Sequence, residues 1–367
     1  MNQEARLSGL DELRGLAIGL VVLSHVGPVF GEGGTSAALL FAPAWSVGVD
    51  LFFVISGLLV ERSLRSLRLE FGALEAASAF YVRRAMRIVP LAWCVGAFLS
   101  IGLIIPGSGV EPADAKAAFA FISNAHWAPC FGGATGCGNA FAFGPFWSVA
   151  AEMQFYLLAP LLVFLLPRRA LVALAGLVLV VGTFTLRPWG GTLWTFRIDA
   201  IAVGLAIGAT MGKSAWPRLA EHLRAIGNME AGFWMTAGAF MLSILPPGTH
   251  GVATAALALM CGWIVTRATL RNGSVNWPGR MLRHLGDISY ALHLIHLPVL
   301  AMFNWSLGQF LGAPATATLS IVIAIGLSHV LTAAIGDPLR QLGRQWSNRT
   351  VREVRRDRRK SSVVGWW

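Results

Sequence analysis

The chain has 367 residues, of which 55% are hydrophobic and only 13% are charged, and its formal net charge is +11. Soluble domains carry about 25% charged residues, so this composition excludes an ordinary soluble protein and indicates a polytopic membrane protein. The basic residues flank apolar runs and form no single soluble patch, which argues against a nucleic-acid partner. Four cysteines are too few for a disulfide scaffold, and their spacing matches no zinc site.

Apolar runs long enough to cross a bilayer recur along the chain. They predict an all-α fold of about ten transmembrane helices, over residues 10–30, 44–61, 88–106, 146–167, 170–186, 196–212, 229–246, 250–267, 287–307 and 314–336. With the N-terminus inside, all but three of the 29 Lys and Arg residues lie in inner segments. The positive-inside rule therefore predicts both termini in the cytoplasm. We expect two parts in the chain, a transmembrane domain over residues 1–337 and a basic cytoplasmic tail over residues 338–367 that lies near anionic lipid.

Two connecting segments are unusual. The inner segment 62–87 is basic and mildly amphipathic, which is typical of a helix lying along the inner membrane surface. The outer segment 107–145 is the longest extracytoplasmic piece and contains Cys130 and Cys137. An oxidising compartment would allow these two residues to form a disulfide, although two unpaired thiols are the expected state.

The first predicted span, Leu10–Phe30, carries two residues that are costly in a membrane. Arg14 and His25 are 11 residues apart and therefore share one helix face. They are separated by about 16 Å along the axis. Asp11 can pair with Arg14 along the same face. Charged and ionisable residues rarely lie in a membrane without a function, but a positive-inside anchor and a packing histidine remain the alternative.

Ionisable residues from several predicted spans lie at a similar depth, towards the outer side. They are His25, Asp50, Glu152, Arg197 and Asp199. Polar groups that converge in one membrane layer mark a functional site by default. An interfacial anchor for Arg197 and a helix cap or hydrogen bond for Asp50 are the structural alternatives.

Basic residues gather at the opposite, inner side. Arg14 lies there together with Arg83, Arg84 and Arg87. The guanidinium group binds phosphate oxygens in a bidentate fashion, so this cluster suits a polyphosphate ligand. A basic cluster without a ligand would follow equally from the positive-inside rule.

The ninth predicted span contains the sequence GDISYALHLIHLPVL. Ser289, His293 and His296 lie on one face of this helix. The sequence offers no nearby carboxylate or thiol that would complete a metal site, so no metal is predicted.

Six stretches together resemble the acyltransferase-3 family of integral-membrane acyltransferases, and they occur in the family's order: LDELRGLAIGLVVLSH, GVDLFFVISGLLV, RRAMRIVP, FWSVAAEMQFYLLAPLL, RIDAIAVGLAIG and GDISYALHLIHLP. The resemblance implies an O-acyltransferase in a bacterial cytoplasmic (inner) membrane. It implies cytoplasmic acyl-CoA, commonly acetyl-CoA, as co-substrate, no bound cofactor, and a hydroxyl of an extracytoplasmic glycan or glycolipid as acceptor. The oligomeric state stays open.

Carried onto this sequence, the resemblance implies catalytic roles for His25 and Glu152. The donor would bind the arginines, which are Arg14, Arg83, Arg84 and Arg87. Acceptor-binding or structural roles fall to Asp11, Asp50, Arg197, Asp199, Ser289, Tyr290 and His296. Met153 stands where the family often has a second acid, and His293 where it often has an aromatic residue.

The predicted mechanism uses His25 as general base on the acceptor hydroxyl, because imidazole suits proton transfer near neutral pH. Glu152 would orient His25 or bind the acceptor, and a transient acyl-His25 is the covalent variant. Ser56 is not predicted to be a nucleophile, because it lacks the strand–turn–helix setting of a nucleophile elbow. A transporter or flippase that uses the same cavity, or an O-acyltransferase acting on a small secondary metabolite, is the alternative function.

Overall fold

The computed structural model describes residues 3–30, 47–131, 134, 137–185, 192–211, 250–270 and 277–347. These residues form helices joined by turns and short loops, with no β-strand among them. We number the α-helices in chain order: α1 (Gln3–Phe30), α2 (Val47–Glu70), α3 (Ala73–Leu99), α4 (Pro112–Phe119), α5 (Ser123–Phe131), α6 (Ala140–Phe143), α7 (Phe146–Leu165), α8 (Arg168–Phe184), α9 (Thr192–Phe196), α10 (Ile198–Thr210), α11 (His250–Leu270), α12 (Trp277–Leu311) and α13 (Ala313–Leu331). The predicted all-α class is confirmed.

Six of the described helical segments are long and apolar enough to cross a membrane: Gly9–Phe30, Ala73–Ile104, Phe146–Leu165, Gly251–Leu270, Pro278–Leu311 and Ala313–Ser347. Three further predicted spans correspond to α2, which has a charged C-terminal half, and to α8 and α10, which have 17 and 13 residues. The predicted span at 229–246 lies outside the described residues, as does residue 348 onwards in the tail. The count of ten spans and the orientation stay predictions.

The structure differs from the sequence interpretation in two places. The inner segment 62–87 does not form a separate surface helix, because α2 continues through it to Glu70 and α3 already begins at Ala73. Gly72, with an extended ψ of 167°, separates the two helices. At the other end of the chain, a π-helical turn at Thr332–Gly336 continues directly into helix 337–347. The first part of the predicted tail, 338–347, is therefore helical, and the division into a transmembrane domain and a cytoplasmic tail stays a prediction.

The predicted outer segment is folded around a disulfide. Cys130 and Cys137 are bonded, with their Cα atoms 5.7 Å apart, so the expectation of two unpaired thiols is wrong. Asp114, which is fully buried, caps α4 and lies 2.8 Å from Nε2 of His126 on α5. In the same segment, Asn124 of α5 forms two side-chain amide hydrogen bonds with Gln154 of α7, donating one and accepting the other. These contacts attach the segment to the helix that carries Glu152.

Small residues let the long helices approach closely. α1 packs along α12, and α2 packs along α10. Gly15 on α1 faces the backbone at Leu282, and Gly286 on α12 faces the backbone at Asp11; a Cβ atom on either glycine would overlap the facing carbonyl oxygen. Such close packing of small residues is typical of membrane helices. It brings the Arg14 and His25 face of α1 against the polar face of α12.

Candidate active site

One cavity lies between α1, α2, α3, α7 and α12. It contains about 720 Å³ of space that no protein atom fills, including its opening. Its polar lining comes from all five helices: Arg14, Ser56, Arg84, Arg87, Ser148, Glu152, Tyr156, Ser289, Tyr290 and His293. Apolar and aromatic residues, including Phe52 and Phe53, complete the wall. The cavity combines an apolar body with a few polar groups, as small-molecule sites do.

Three of the four predicted donor-binding arginines line this cavity. Arg14 pairs with Asp11 at 2.8 Å, as predicted from their spacing on α1. The guanidinium of Arg84 lies over two aromatic rings, 5.5 Å from the centroid of Phe80 and 4.9 Å from that of Tyr156. Stacking of this kind holds the planar group in a defined orientation. The third arginine, Arg87, lines the cavity from the next turn of α3.

Arg83 lies apart from the other three. Its Nε atom donates a hydrogen bond of 2.9 Å to Oγ of Ser347, at the end of the last described helix. It is not part of the cavity lining. Because successive residues of a helix project about 100° apart, Arg83 and Arg84 cannot both face one narrow cavity. The structure therefore joins Arg83 to helix 337–347.

Glu152 is the acceptor in a three-residue hydrogen-bond cluster. Its Oε1 atom accepts a bond of 2.6 Å from Oγ of Ser56 and a second bond from the hydroxyl of Tyr156. The two hydroxyls are themselves 2.9 Å apart. A carboxylate that receives two such bonds is held in a fixed position at the cavity wall. Its bonded side-chain partners among the described residues do not include His25.

His25 lies beside the cavity and contacts α12. Its Nδ1 atom is 2.8 Å from the carbonyl oxygen of Val21, 3.1 Å from Oγ of Ser24 and 3.3 Å from Nε2 of His296. The rings of His25 and His296 meet edge to face, with centroids 5.0 Å apart. The structure thus pairs His25 with His296, and of the two predicted roles of Glu152, orienting His25 or binding the acceptor, it shows no direct bond for the first.

A third histidine links this pair to the cavity. The ring of His293 lies 5.8 Å from that of His296 and lines the cavity wall. Its Nε2 atom is 2.8 Å from Oγ of Ser148 and 3.2 Å from the carbonyl oxygen of Pro145, both at the start of α7. His293, one of the two residues that depart from the family pattern, therefore joins α12 to the start of the helix that carries Glu152.

The acyltransferase-3 family model, described as an acyltransferase domain, matches residues 7–333 of this chain. The chain belongs to this family. It is therefore a membrane acyltransferase that transfers groups other than aminoacyl groups. Within the described residues, its predicted catalytic and donor-binding side chains lie in or beside a single cavity, apart from Arg83.

Curated relatives agree with this assignment. The chain is 28% identical over 342 residues to the putative membrane-bound transacylase BcsY of Komagataeibacter xylinus, covering 90% of this chain and 83% of that protein. It is 32% identical over 169 residues to the O-acetyltransferase OatA of Staphylococcus aureus strain NCTC 8325 / PS 47, and 30% identical over 168 residues to the peptidoglycan O-acetyltransferase OatA of Listeria monocytogenes. These matches cover 44% and 42% of this chain but only 26% and 24% of the OatA proteins. No solved structure matches the chain.

Three predicted site residues of this acyltransferase form a cluster outside the cavity lining. Arg197 and Asp50 form an ion pair of 2.8 Å in which both side chains are nearly inaccessible to solvent. Asp199 is also buried, in the first turn of α10. Arg197 occupies a left-handed backbone conformation, with φ of 44°, directly before α10. The pair connects α2 to the start of α10, which agrees with the structural alternative for Asp50.

The remaining predicted residues of α12 line the cavity with their hydroxyls bonded to backbone. Ser289 Oγ donates to the carbonyl oxygen of Gly286 at 2.7 Å, within its own helix. The hydroxyl of Tyr290 donates to the carbonyl oxygen of Ile88 on α3 at 2.8 Å. Tyr290 therefore holds α12 against the helix that carries the arginines.

Three polar residues of the cavity lining were missed by sequence reasoning: Ser56, Ser148 and Tyr156. Tyr156 follows Glu152 by four residues, a spacing that places both on one helix face and could have revealed it. Ser56 lies 96 residues away from Glu152 in sequence, and no local pattern predicts their contact. Within the part of the chain that the structure describes, no group of three or more His, Cys, Asp or Glu residues could hold a metal ion.

Proposed function

We propose that this acyltransferase moves an acetyl group from cytoplasmic acetyl-CoA to a hydroxyl of an extracytoplasmic glycan or glycolipid, in the inner membrane of a bacterium. The observation that carries the proposal is the single cavity that Arg14, Arg84 and Arg87 share with Glu152, beside the His25–His296 pair. It offers a cationic part for a polyphosphate and a polar part for an alcohol.

The arginines suit the donor because coenzyme A carries several phosphate groups. Arg14 comes from α1, while Arg84 and Arg87 come from α3, so the phosphates would be bound between two helices. Charge-assisted bonds from a guanidinium to phosphate are short and can be bidentate. Asp11 keeps Arg14 in place through its ion pair. The thioester end of the donor would then extend towards the histidines.

The acyl transfer needs one proton acceptor. Nε2 of His25 would take the proton of the acceptor hydroxyl while the hydroxyl oxygen attacks the thioester carbonyl carbon. The C–S bond then breaks, and the CoA sulfur leaves with the proton that His25 returns. Glu152 would position the acceptor or the carbonyl through its cluster with Ser56 and Tyr156. In the covalent variant, the acyl group passes through His25 itself.

The named relatives support the choice of group and acceptor. The OatA proteins are named O-acetyltransferases, and the Listeria protein is named a peptidoglycan O-acetyltransferase. Both names describe acetyl transfer to oxygen, and peptidoglycan is a glycan polymer outside the cytoplasm. The chain corresponds to about a quarter of the OatA length, so acetyl transfer to a glycan enters here as a proposal.

The test is the sidedness of the reaction. Sealed proteoliposomes with known protein orientation would receive radiolabelled acetyl-CoA only on the cytoplasmic face and chitotetraose, an impermeant glycan, only on the opposite face. We expect acetylated oligosaccharide on the side opposite to the cytoplasmic face of the protein, and free CoA on the cytoplasmic side. Product that forms only when both substrates share the cytoplasmic side would overturn the proposal. Transfer across the membrane to a non-glycan alcohol alone would favour a secondary metabolite as acceptor.

A further inference from the structure

We propose that His296 is the positioning residue for His25, holding its ring in the tautomer and orientation that proton transfer requires. This inference rests on the proposed function, in which His25 is the general base. The evidence is the hydrogen-bond geometry of the two rings, which determines which nitrogen of each carries the proton.

The tautomer of His296 follows from its backbone partners. Its Nδ1 atom lies 2.8 Å from the carbonyl oxygen of His293 and 3.1 Å from that of Leu292. A carbonyl oxygen can only accept a hydrogen bond, so Nδ1 of His296 carries a proton and donates it. In the neutral ring the other nitrogen, Nε2, is then an acceptor. This is the atom that lies 3.3 Å from Nδ1 of His25.

The Nδ1 atom of His25 also carries a proton. Nδ1 of His25 faces the carbonyl oxygen of Val21 at 2.8 Å, and Ser24 already donates its own hydroxyl proton to that carbonyl at 2.7 Å. Every polar atom described around this nitrogen can therefore accept, and Nδ1 must be the donor. Nε2 of neutral His25 is left unprotonated. That is the state a general base needs before it takes a proton.

His296 contributes something that Val21 and Ser24 cannot. Those two residues belong to α1 and fix the His25 ring only relative to its own helix. His296 belongs to α12, and its neighbour in space, His293, lines the cavity. The His25–His296 contact therefore fixes the base relative to the opposite wall of the site. This is the arrangement by which a second group orients a catalytic histidine in a Ser-His-Asp triad.

The contact also bears on the charged intermediate. When Nε2 of His25 accepts a proton, the ring becomes a cation inside the helix bundle, where charge is costly. Its single Nδ1–H is then shared between the carbonyl oxygen of Val21 at 2.8 Å and the imidazole lone pair of buried His296 at 3.3 Å, which adds a second acceptor for the cation. His296 keeps its own Nδ1 proton throughout, so the step needs no additional proton acceptor.

The experiment compares two variants at one position. His296→Gln places an amide oxygen near the position of Nε2, whereas His296→Phe keeps the ring volume and removes the acceptor. Purified protein would be assayed for CoA release from acetyl-CoA, with chitotetraose as the acceptor. We expect His296→Phe to lower kcat about 10–100-fold with KM for acetyl-CoA within about twofold, and His296→Gln to recover most of kcat.

Two controls separate this role from a general structural one. His284→Phe changes a histidine of the same helix, which packs against His329 with ring centroids 5.4 Å apart, and should leave kcat unchanged. His25→Gln gives the kcat of the protein without its general base. If His296→Phe does not purify as a folded protein, His296→Asn replaces it, because the shorter amide reaches the position of Nδ1 and cannot contact His25.

The outcomes are distinguishable. A wild-type kcat in His296→Phe, or in His296→Asn, would overturn this inference. If His25→Gln is inactive in the same assay, the proposed function would still stand. Equal losses in His296→Gln and in the variant without an acceptor would show that an acceptor atom at the position of Nε2 is not what His296 contributes, and would overturn the inference as well. A wild-type protein that releases no CoA under these conditions would overturn the proposed function itself.

Discussion

Arg87 and Arg83 are one helical turn apart on α3, yet only Arg87 lines the cavity. Arg83 donates to Ser347 instead. The two residues have the same charge and belong to the same basic sequence, RRAMR. Arg87→Ala and Arg83→Ala therefore form a matched pair that separates phosphate binding from a general basic surface.

The magnitude follows from what each side chain contacts. A hydrogen bond to a charged group contributes about 1.5–3 kcal/mol, which corresponds to about 10–150-fold in affinity. If Arg87 binds a CoA phosphate, Arg87→Ala should raise KM for acetyl-CoA by that factor. Arg83→Ala removes a contact with helix 337–347 and should change KM by less than about threefold, since its bond lies outside the cavity.

The assay measures initial rates of CoA release over a range of acetyl-CoA concentrations, for both variants at equal protein amounts in the same lipid. A second series at increasing salt should weaken donor binding in the wild type more than in Arg87→Ala, because one ionic contact has been lost. Equal KM values for wild type and Arg87→Ala, or a larger effect in Arg83→Ala, would refute the assignment of the cavity arginines to the donor.

Two further predictions concern the base and the buried ion pair. His25→Ala and Glu152→Ala should each abolish acetyl transfer while the protein still inserts and purifies, and near-normal transfer by well-expressed His25→Ala would rule out the mechanism. Asp50→Asn should lower the free energy of unfolding by about 3–5 kcal/mol, because it leaves the buried guanidinium of Arg197 without its carboxylate. Thermal unfolding in detergent checks this, and the double variant with Arg197→Met should regain part of the loss. Stability unchanged in Asp50→Asn would contradict a structural role for the pair.

The sequence predicts helix positions well and helix contacts poorly. Hydropathy identifies most long helices, because an apolar run of about 20 residues has the length of a helix that crosses the bilayer. Spacing within a helix also succeeds: the Asp11–Arg14 pair is predicted from a separation of three residues. Both inferences use only local periodicity, which a single sequence contains.

Contacts between helices depend on how each helix is rotated and how closely it approaches its neighbours. The sequence predicts a shared layer for Glu152 and His25 but does not predict the partners of Glu152, which are Ser56 and Tyr156. His25 instead contacts His296, which is 271 residues away in sequence. Close glycine packing, as at the α1–α12 contact, decides these pairings, and hydropathy does not predict it.

The bond between Cys130 and Cys137 marks the side of the membrane on which its segment belongs. Disulfides persist in oxidising compartments and are rare in the cytosol. The segment between α3 and α7 is therefore expected outside, a conclusion that uses no arginine and agrees with the orientation predicted from charge. Because Asn124 on α5 bonds to Gln154, two residues beyond Glu152, α5 is also attached directly to the helix that carries Glu152. Under the proposed function, the acceptor would enter from the side of the membrane on which this disulfide lies.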